Sequence, residues 1–188
     1  MKMISPSLCR SRRRLLACLA AAACPSAWAR LAALPELADG LPGARLQGAG
    51  RLDFLGLHVY DIRLWVGEGF SAAEFARSPL ALEIEYARAL SGGRIAERAL
   101  EEMQRIAPIA DPQRLRWLGA MTQAFPDVNP GERLTGLFWP DEGVRFFHNG
   151  RLRADIADAE FARNFFAIWL SPKSSQPKLR LALLGSAA

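Results

Sequence analysis

The chain of 188 residues has few of the side chains that metal sites and nucleophilic enzymes require. Its three cysteines, Cys9, Cys18 and Cys24, all lie near the amino terminus, and its two histidines are His58 and His148. Beyond residue 29 the sequence therefore excludes a disulfide, a thiolate metal site and a cysteine nucleophile. The two histidines do not have the spacing of a zinc site. We predict neither a metal nor a cofactor.

Sequence motifs with a known mechanism are also missing. The glycine-rich stretch 43–50 lacks the G-x-G-x-x-G order and a following helix, which argues against dinucleotide binding. The patterns G-x-S-x-G, H-E-x-x-H and the P-loop do not occur. After residue 29, no apolar run approaches the roughly 20 residues that a bilayer requires, so we expect no transmembrane segment in that part.

The first 29 residues have the three-part order of a secretory signal. Five cations and no acidic residue come first; they are Lys2, Arg10, Arg12, Arg13 and Arg14. A short apolar run follows at 15–23, and Ala27-Trp28-Ala29 places small residues where a signal peptidase cleaves. We predict a removable signal peptide at 1–29 and a periplasmic or secreted mature chain.

The export route stays open between two alternatives. Residues 11–16 read Ser-Arg-Arg-Arg-Leu-Leu, which is similar to a twin-arginine signal, but an ordinary Sec signal can contain the same arginines. Lipidation at Cys24 is a further alternative, which Pro25 disfavours.

The positive charge of the chain belongs to this signal. The whole chain carries a net charge of +5, and removing residues 1–29 leaves 19 basic and 19 acidic residues. Nucleic-acid binding would need a basic stripe on the folded domain, so we predict no nucleic-acid partner. The composition sets no oligomeric state.

Apolar periodicity predicts one α+β domain at 44–184, preceded by a loose lead-in at 30–43. Strands are predicted at 57–66, at 80–88 with one face buried, and at 133–139, 143–148 and 151–156. Helices are predicted to begin near residues 71, 92, 111, 158 and 177. Because strands and helices are grouped and do not alternate, we expect a large antiparallel sheet with helices on one face.

Four stretches of this domain resemble the chalcone isomerase-like group, especially its bacterial exported branch. They are Gly48-Ala49-Gly50-Arg51 with Leu57-His58-Val59-Tyr60-Asp61, Leu90-Ser91-Gly92-Gly93, residues 125–131, and residues 146–150 with 161–172. The resemblance covers 44–184 and implies an open-faced sandwich, in which a cleft between sheet and helices holds an apolar ligand.

The same resemblance implies where polar site residues would lie. In plant chalcone isomerases an arginine, a threonine and a tyrosine serve the reaction, and these positions fall near Arg51, on His58 and on Ile95. Isoleucine cannot hydrogen-bond, and losing such a group typically costs on the order of 10²–10³ in rate. We therefore do not expect chalcone isomerisation itself.

The candidate site consists of Arg51, His58, Tyr60 and Ile95. Arg51 is expected to anchor an anion, since a guanidinium suits a carboxylate; a solvated surface pair is the alternative. Other arginines compete for this role: Arg63, Arg88 and Arg94. His58 is the candidate catalytic residue, or else a histidine hydrogen-bonded at the sheet edge.

Tyr60 and Tyr86 are the two tyrosines of the chain, and either could donate a phenol into the cleft. Three functions remain open. The first is a non-catalytic binder of a small amphipathic or apolar ligand such as a fatty acid. The second is an isomerase or intramolecular lyase that uses His58. The third is a structural protein whose cleft is filled by its own side chains.

Overall fold

The structure is a computed structural model that describes residues 34–185. The predicted signal peptide and the first part of the lead-in lie outside the described residues. The strands are β1 (Arg45–Phe54), β2 (Leu57–Val66), β3 (Leu80–Tyr86), β4 (Arg133–Trp139), β5 (Gly143–His148) and β6 (Arg151–Ile156). The helices are α1 (Pro35–Gly40), α2 (Gly92–Ile106), α3 (Asp111–Ala124), α4 (Ala159–Leu170) and α5 (Pro177–Leu184), with a 3₁₀ helix at Ala72–Arg77.

The six strands form one antiparallel sheet in the order β1-β2-β3-β4-β5-β6. Helices α2 and α3 are inserted between β3 and β4. Apolar side chains of β2 and β3, such as Ile62, Leu64 and Leu82, are buried in the main core together with residues of α2 and α4. The predicted α+β architecture, a large antiparallel sheet with a helical layer, is confirmed.

Two side chains define the starts of the helices that cover the sheet. Ser91 accepts a hydrogen bond from the amide of Arg94, and Asp158 accepts one from the amide of Phe161 at 2.8 Å. Both satisfy amides that the first helical turn leaves without partners. Within residues 34–185, no helix is long and apolar enough to cross a membrane.

The edge strand β1 contains glycines at the positions where α5 packs against it. A Cβ at Gly48 would collide with the backbone carbonyls of Ala182 and Leu183, and one at Gly50 would collide with Leu179. Gly48 thus lets the backbone of α5 approach the strand directly, and Gly50 makes room for the side chain of Leu179.

The prediction of a loose lead-in is wrong for its described part, residues 34–43. This segment contains α1, and Leu34, Leu37 and Leu41 are buried against Trp65 and Leu137 on the outer face of the sheet. Thr135 on β4 also donates a hydrogen bond to Glu36 at 3.0 Å. The apolar outer positions of the central strands thus give the segment a surface on which to pack.

The outer face of β3 is also buried, contrary to the predicted half-buried strand. Glu83 is fully buried, and its carboxylate accepts hydrogen bonds from Trp65 Nε1 at 3.0 Å and from Arg63 at 3.2 Å. Arg133 lies 3.8 Å away on the neighbouring strand. Two guanidinium groups and an indole therefore replace the solvent that the alternating pattern suggested for this face.

Candidate ligand-binding cavity

A cavity of about 650 Å³ separates the inner face of the sheet from the helical layer. Side chains of β1 to β5, of α2 and α4 and of the loop after β3 line it. The lining is mostly apolar and includes Leu52, Val59, Leu82, Ile84, Leu134, Phe146, Ile95, Ala99, Phe165 and Ile168. The structure thus forms, between sheet and helices, the cleft that the family resemblance implies.

Aromatic packing closes one side of the cavity. The ring centroid of Phe146 lies 5.0 Å from that of Phe125 and 5.1 Å from that of Phe165, both in edge-to-face geometry. A Cβ at Gly136 would lie 3.2 Å from the rings of Phe146 and Phe166. These rings pack against each other and form one wall of the cavity.

Two phenols lie side by side in the wall and differ in their partners. Tyr60 and Tyr86 pack edge to face with centroids 6.1 Å apart. The hydroxyl of Tyr60 accepts a hydrogen bond from Trp169 Nε1 at 3.0 Å. The hydroxyl of Tyr86 makes no hydrogen bond with residues 34–185, and Tyr86 lines the cavity. Tyr86 therefore has a free donor for a bound molecule.

Burial keeps both phenols protonated. It raises the pKa of Tyr60 to about 12, the bond from Trp169 opposing the shift only in part. It raises the pKa of Tyr86 further, and the neighbouring Tyr60 adds to the effect. Near neutral pH both groups are hydrogen-bond donors and not bases.

The mouth of the cavity is basic. Arg88 in the loop after β3 and Arg94 in the first turn of α2 line it, both side chains are exposed, and neither forms an ion pair within residues 34–185. Arg98, one turn further along α2, pairs with Glu101 and with the buried Glu102. Arg88 and Arg94 are therefore the guanidinium groups available to an anion at this mouth.

The structure places two of the four sequence-predicted site residues in the cavity wall. Tyr60 contributes from β2, and Ile95 contributes from α2. Ile95 adds only apolar surface at the position where the resemblance implied a tyrosine.

Arg51 does not reach the cavity, so its expected place in the cleft is corrected. Its side chain is 57% exposed and lies on the outer face, where Nε donates to Asp61 Oδ1 at 3.0 Å. The hydrogen bond and charge of Asp61 raise the pKa of Arg51. The next residue, Leu52, lines the cavity, because adjacent strand residues point to opposite faces.

His58 is also on the outside of the cavity. Leu52 pairs with Tyr60 and Asp53 pairs with His58, so Val59 is an extra residue in β2. This bulge lets Val59 and Tyr60 both line the cavity, and the Nε2 atom of His58 lies 3.3 Å from Asp61 Oδ1. The candidate catalytic role of His58 in the cleft is therefore corrected, and the isomerase alternative loses its only proposed polar group.

Sequence reasoning missed Arg98, Glu102 and Trp169. Arg94, Arg98 and Glu102 follow each other at intervals of four residues, which places them on one side of α2. That spacing was a usable signal, but the side that faces a cavity depends on how the helix packs. Within residues 34–185, no group of three or more His, Cys, Asp or Glu side chains could hold a metal ion.

Comparison with known proteins agrees with this architecture. The model of a family described as chalcone isomerase-like matches residues 44–185. A Haemophilus influenzae protein described as uncharacterized is 31% identical over 146 residues, which cover 77% of this chain and 70% of that protein. The crystal structure of an Arabidopsis thaliana fatty-acid binding protein has a similar fold, with a TM-score of 0.57 and 11% identity, over 75% of this chain and 86% of that one.

Proposed function

The chain belongs to the chalcone isomerase-like family, and from this premise we propose that it binds a small amphipathic molecule of the fatty-acid class without transforming it. The observation that carries the proposal is the apolar cavity of about 650 Å³ with unpaired arginines at its mouth. Ligand pockets typically measure about 300–1,000 Å³ and combine apolar walls with a few polar groups. The fatty-acid binding protein that shares the fold supports the same class of ligand.

The charges define how such a ligand would lie. Its carboxylate would meet Arg88 and Arg94, since a guanidinium recognises a carboxylate through paired N–H donors. Its hydrocarbon chain would follow the aromatic wall around Phe146 and Phe165. Tyr86, two residues before Arg88, would donate its free hydroxyl to a ligand oxygen.

The polar groups of the cavity favour binding over catalysis. General acid–base catalysis works best with a pKa near the operating pH, and the two phenols in the wall have raised pKa values. Ile95 lies in the cavity wall where the resemblance implies the tyrosine of plant chalcone isomerases, and His58 lies outside the cavity. The size of the cavity also argues against the structural alternative, which requires a filled cleft.

The proposal includes a location outside the cytosol. It rests on the positively charged, apolar and small-residue regions of residues 1–29. Fractionation of expressing cells, with determination of the first residue of the exported protein, tests it. A protein that begins at Arg30 and leaves the cytosol supports the proposal, and an uncleaved cytosolic protein contradicts it.

Displacement of a fluorescent fatty acid by palmitate tests the binding function. Arg88→Ala combined with Arg94→Ala should weaken palmitate binding roughly 5- to 30-fold, as expected for two exposed charge pairs of up to about 1 kcal/mol each. The same double variant should bind the uncharged C16 alcohol like the wild type. Together, the two measurements separate the contribution of the arginines to affinity from that of the apolar cavity.

Arg51→Ala is the matched control, because Arg51 is an exposed arginine that is ion-paired on the opposite face. It should leave palmitate affinity unchanged. A wild-type protein that binds no fatty acid would overturn the proposed function. An Arg51→Ala loss equal to that of the double variant would overturn the assigned anchor.

A further inference from the structure

The turn between β1 and β2 exposes a patch of large apolar side chains. Phe54 is 64% exposed, Leu55 is 86% exposed and Leu57 is 52% exposed. We call residues 54–57 the hairpin tip. Neighbouring exposed apolar side chains are a candidate site of contact with a partner or a membrane.

The geometry of the tip gives no structural reason for its leucine. Leu55 and Gly56 have φ values of 51° and 76°, the left-handed pair of a two-residue hairpin turn. Such a turn favours asparagine or aspartate before the glycine, and a leucine there is strained. The hairpin between β5 and β6 has the favoured pair, Asn149 and Gly150, at φ values of 50° and 81°. Leu55 is thus both strained and exposed where the same chain elsewhere uses the stable alternative.

The tip stands beside the mouth of the cavity. Phe54 itself lines the cavity, as do the exposed and unpaired Arg88 and Arg94. The amide of Ala87 donates to the carbonyl of Val59 at 2.9 Å, so β3 leaves the sheet next to the base of the hairpin. One end of the molecule therefore combines an apolar projection, a pair of cations and the entrance to an apolar cavity.

We propose that the hairpin tip inserts into a lipid bilayer and seats the cavity mouth on a membrane that contains anionic lipid. Phe54, Leu55 and Leu57 would enter the region between headgroups and acyl chains, and Arg88 and Arg94 would contact headgroup phosphates. A membrane fits both halves of this surface, because it offers apolar depth next to negative charge. The idea deepens the proposed function, since a fatty acid could pass between bilayer and cavity without crossing water.

Flotation with vesicles of phosphatidylcholine, with or without phosphatidylglycerol, tests the proposal on the full chain. We expect tighter binding to the anionic vesicles. Leu55→Asn should weaken it about tenfold or more, because the most exposed apolar group of the tip is lost. The Asn-Gly turn should leave the melting temperature equal or higher, so unfolding would not explain the loss.

Leu115→Gln is the matched control, since Leu115 is 64% exposed on α3 and does not line the cavity. It should bind vesicles like the wild type. Hydrogen exchange measured by mass spectrometry gives a readout that is local to the hairpin tip. Anionic vesicles should protect the amides of the hairpin tip in the wild type and not in Leu55→Asn.

Three results would overturn the proposal. They are unprotected tip amides in the wild type, unchanged protection in Leu55→Asn, and a change of Leu55→Asn from an oligomer to a monomer without any effect on vesicles. The last result would make the tip a protein interface. Palmitate affinity in vesicle-free solution should be the same in Leu55→Asn and the wild type, so failure of palmitate binding would refute the proposed function separately.

Discussion

Removing one oxygen from Tyr60 or from Tyr86 should affect different properties of the protein. The rings are neighbours in the cavity wall, with centroids 6.1 Å apart. The hydroxyl of Tyr60 is the acceptor for Trp169 Nε1, whereas that of Tyr86 has no partner within residues 34–185. The variants Tyr60→Phe and Tyr86→Phe therefore make the same chemical change with and without the loss of a hydrogen bond.

The contacts of the two hydroxyl groups determine how much each variant should change the free energy of unfolding. Tyr60→Phe leaves the indole N–H of Trp169, a residue that is only 8% exposed, without its acceptor. An unsatisfied buried donor costs about 1–3 kcal/mol, and we expect the lower half of this range because the cavity adjoins the bond. Tyr86→Phe breaks no bond within the described residues and should change the free energy of unfolding by less than about 0.5 kcal/mol.

Urea unfolding followed by tryptophan fluorescence measures this difference. Thermal melting should agree, with a decrease of roughly 2–4 °C per kcal/mol for a protein of this size. Palmitate affinity should show the opposite order, because the free hydroxyl of Tyr86 is the one available to the ligand. Its loss should weaken binding about 2- to 12-fold, as expected for one hydrogen bond of about 0.5–1.5 kcal/mol.

Two outcomes would refute this reasoning. If Tyr86→Phe destabilises the fold as much as Tyr60→Phe, the hydroxyl of Tyr86 has a structural partner. If Tyr86→Phe leaves palmitate affinity unchanged while palmitate does bind the wild type, the hydroxyl is not a ligand contact.

Three further predictions concern titration, a buried charge and a close contact. Burial raises the pKa of Tyr60 to about 12 and that of Tyr86 further. The native protein should therefore show no tyrosinate absorbance near pH 10, whereas in the urea-unfolded chain both tyrosines should lose their protons at about that pH. Because the folded state binds these phenolic protons more tightly than the unfolded state, the free energy of unfolding should fall as the pH rises above about 10. Tyrosinate absorbance of the native protein at about pH 10 would contradict both the raised pKa values and this loss of stability. Glu83→Ala removes a fully buried carboxylate from between Arg63 and Arg133 and should lower the free energy of unfolding by about 3–5 kcal/mol. Urea unfolding measures this loss, and a value below about 1 kcal/mol would contradict the role assigned to these buried ion pairs. Gly48→Ala drives a methyl group into the backbone of α5 and should lower the free energy of unfolding by about 1–3 kcal/mol. Gly93→Ala, in open space on α2, is the control and should raise the free energy of unfolding by about 0.5–1 kcal/mol. Equal melting temperatures of the two variants would argue against the close contact between Gly48 and α5.

Local patterns were enough for much of the architecture. The strand at 57–66 was predicted with the bounds that the structure has, because alternation of apolar and polar residues reflects the period of a strand. The start of α2 was predicted near residue 92, and the strands on either side of Asn149-Gly150 were predicted with the bounds that the structure has. These features depend on neighbours along the chain.

Other elements depend on contacts between distant residues and were missed or misread. Gly48 and Gly50 obscure the period of β1, and they are needed only because α5, more than 120 residues later, packs on that strand. Leu34, Leu37 and Leu41 have helical spacing, but residues 30–43 look loose until the outer face of the sheet provides a partner.

The sequence by itself determined the class of the fold and the order of its elements from residue 57 onward, since these follow from periodicity, while the apolar cleft was implied only by the family resemblance. Only the tertiary structure decided which charged groups face the cavity. Neighbouring strand residues point to opposite faces, so one extra residue at Val59 moves His58 out of the cavity, and Arg51 lies one position away from the inner face. The basic mouth formed by Arg88 and Arg94 arises because the loop after β3 and the start of α2 meet at one end of the sheet, a contact that no local pattern encodes.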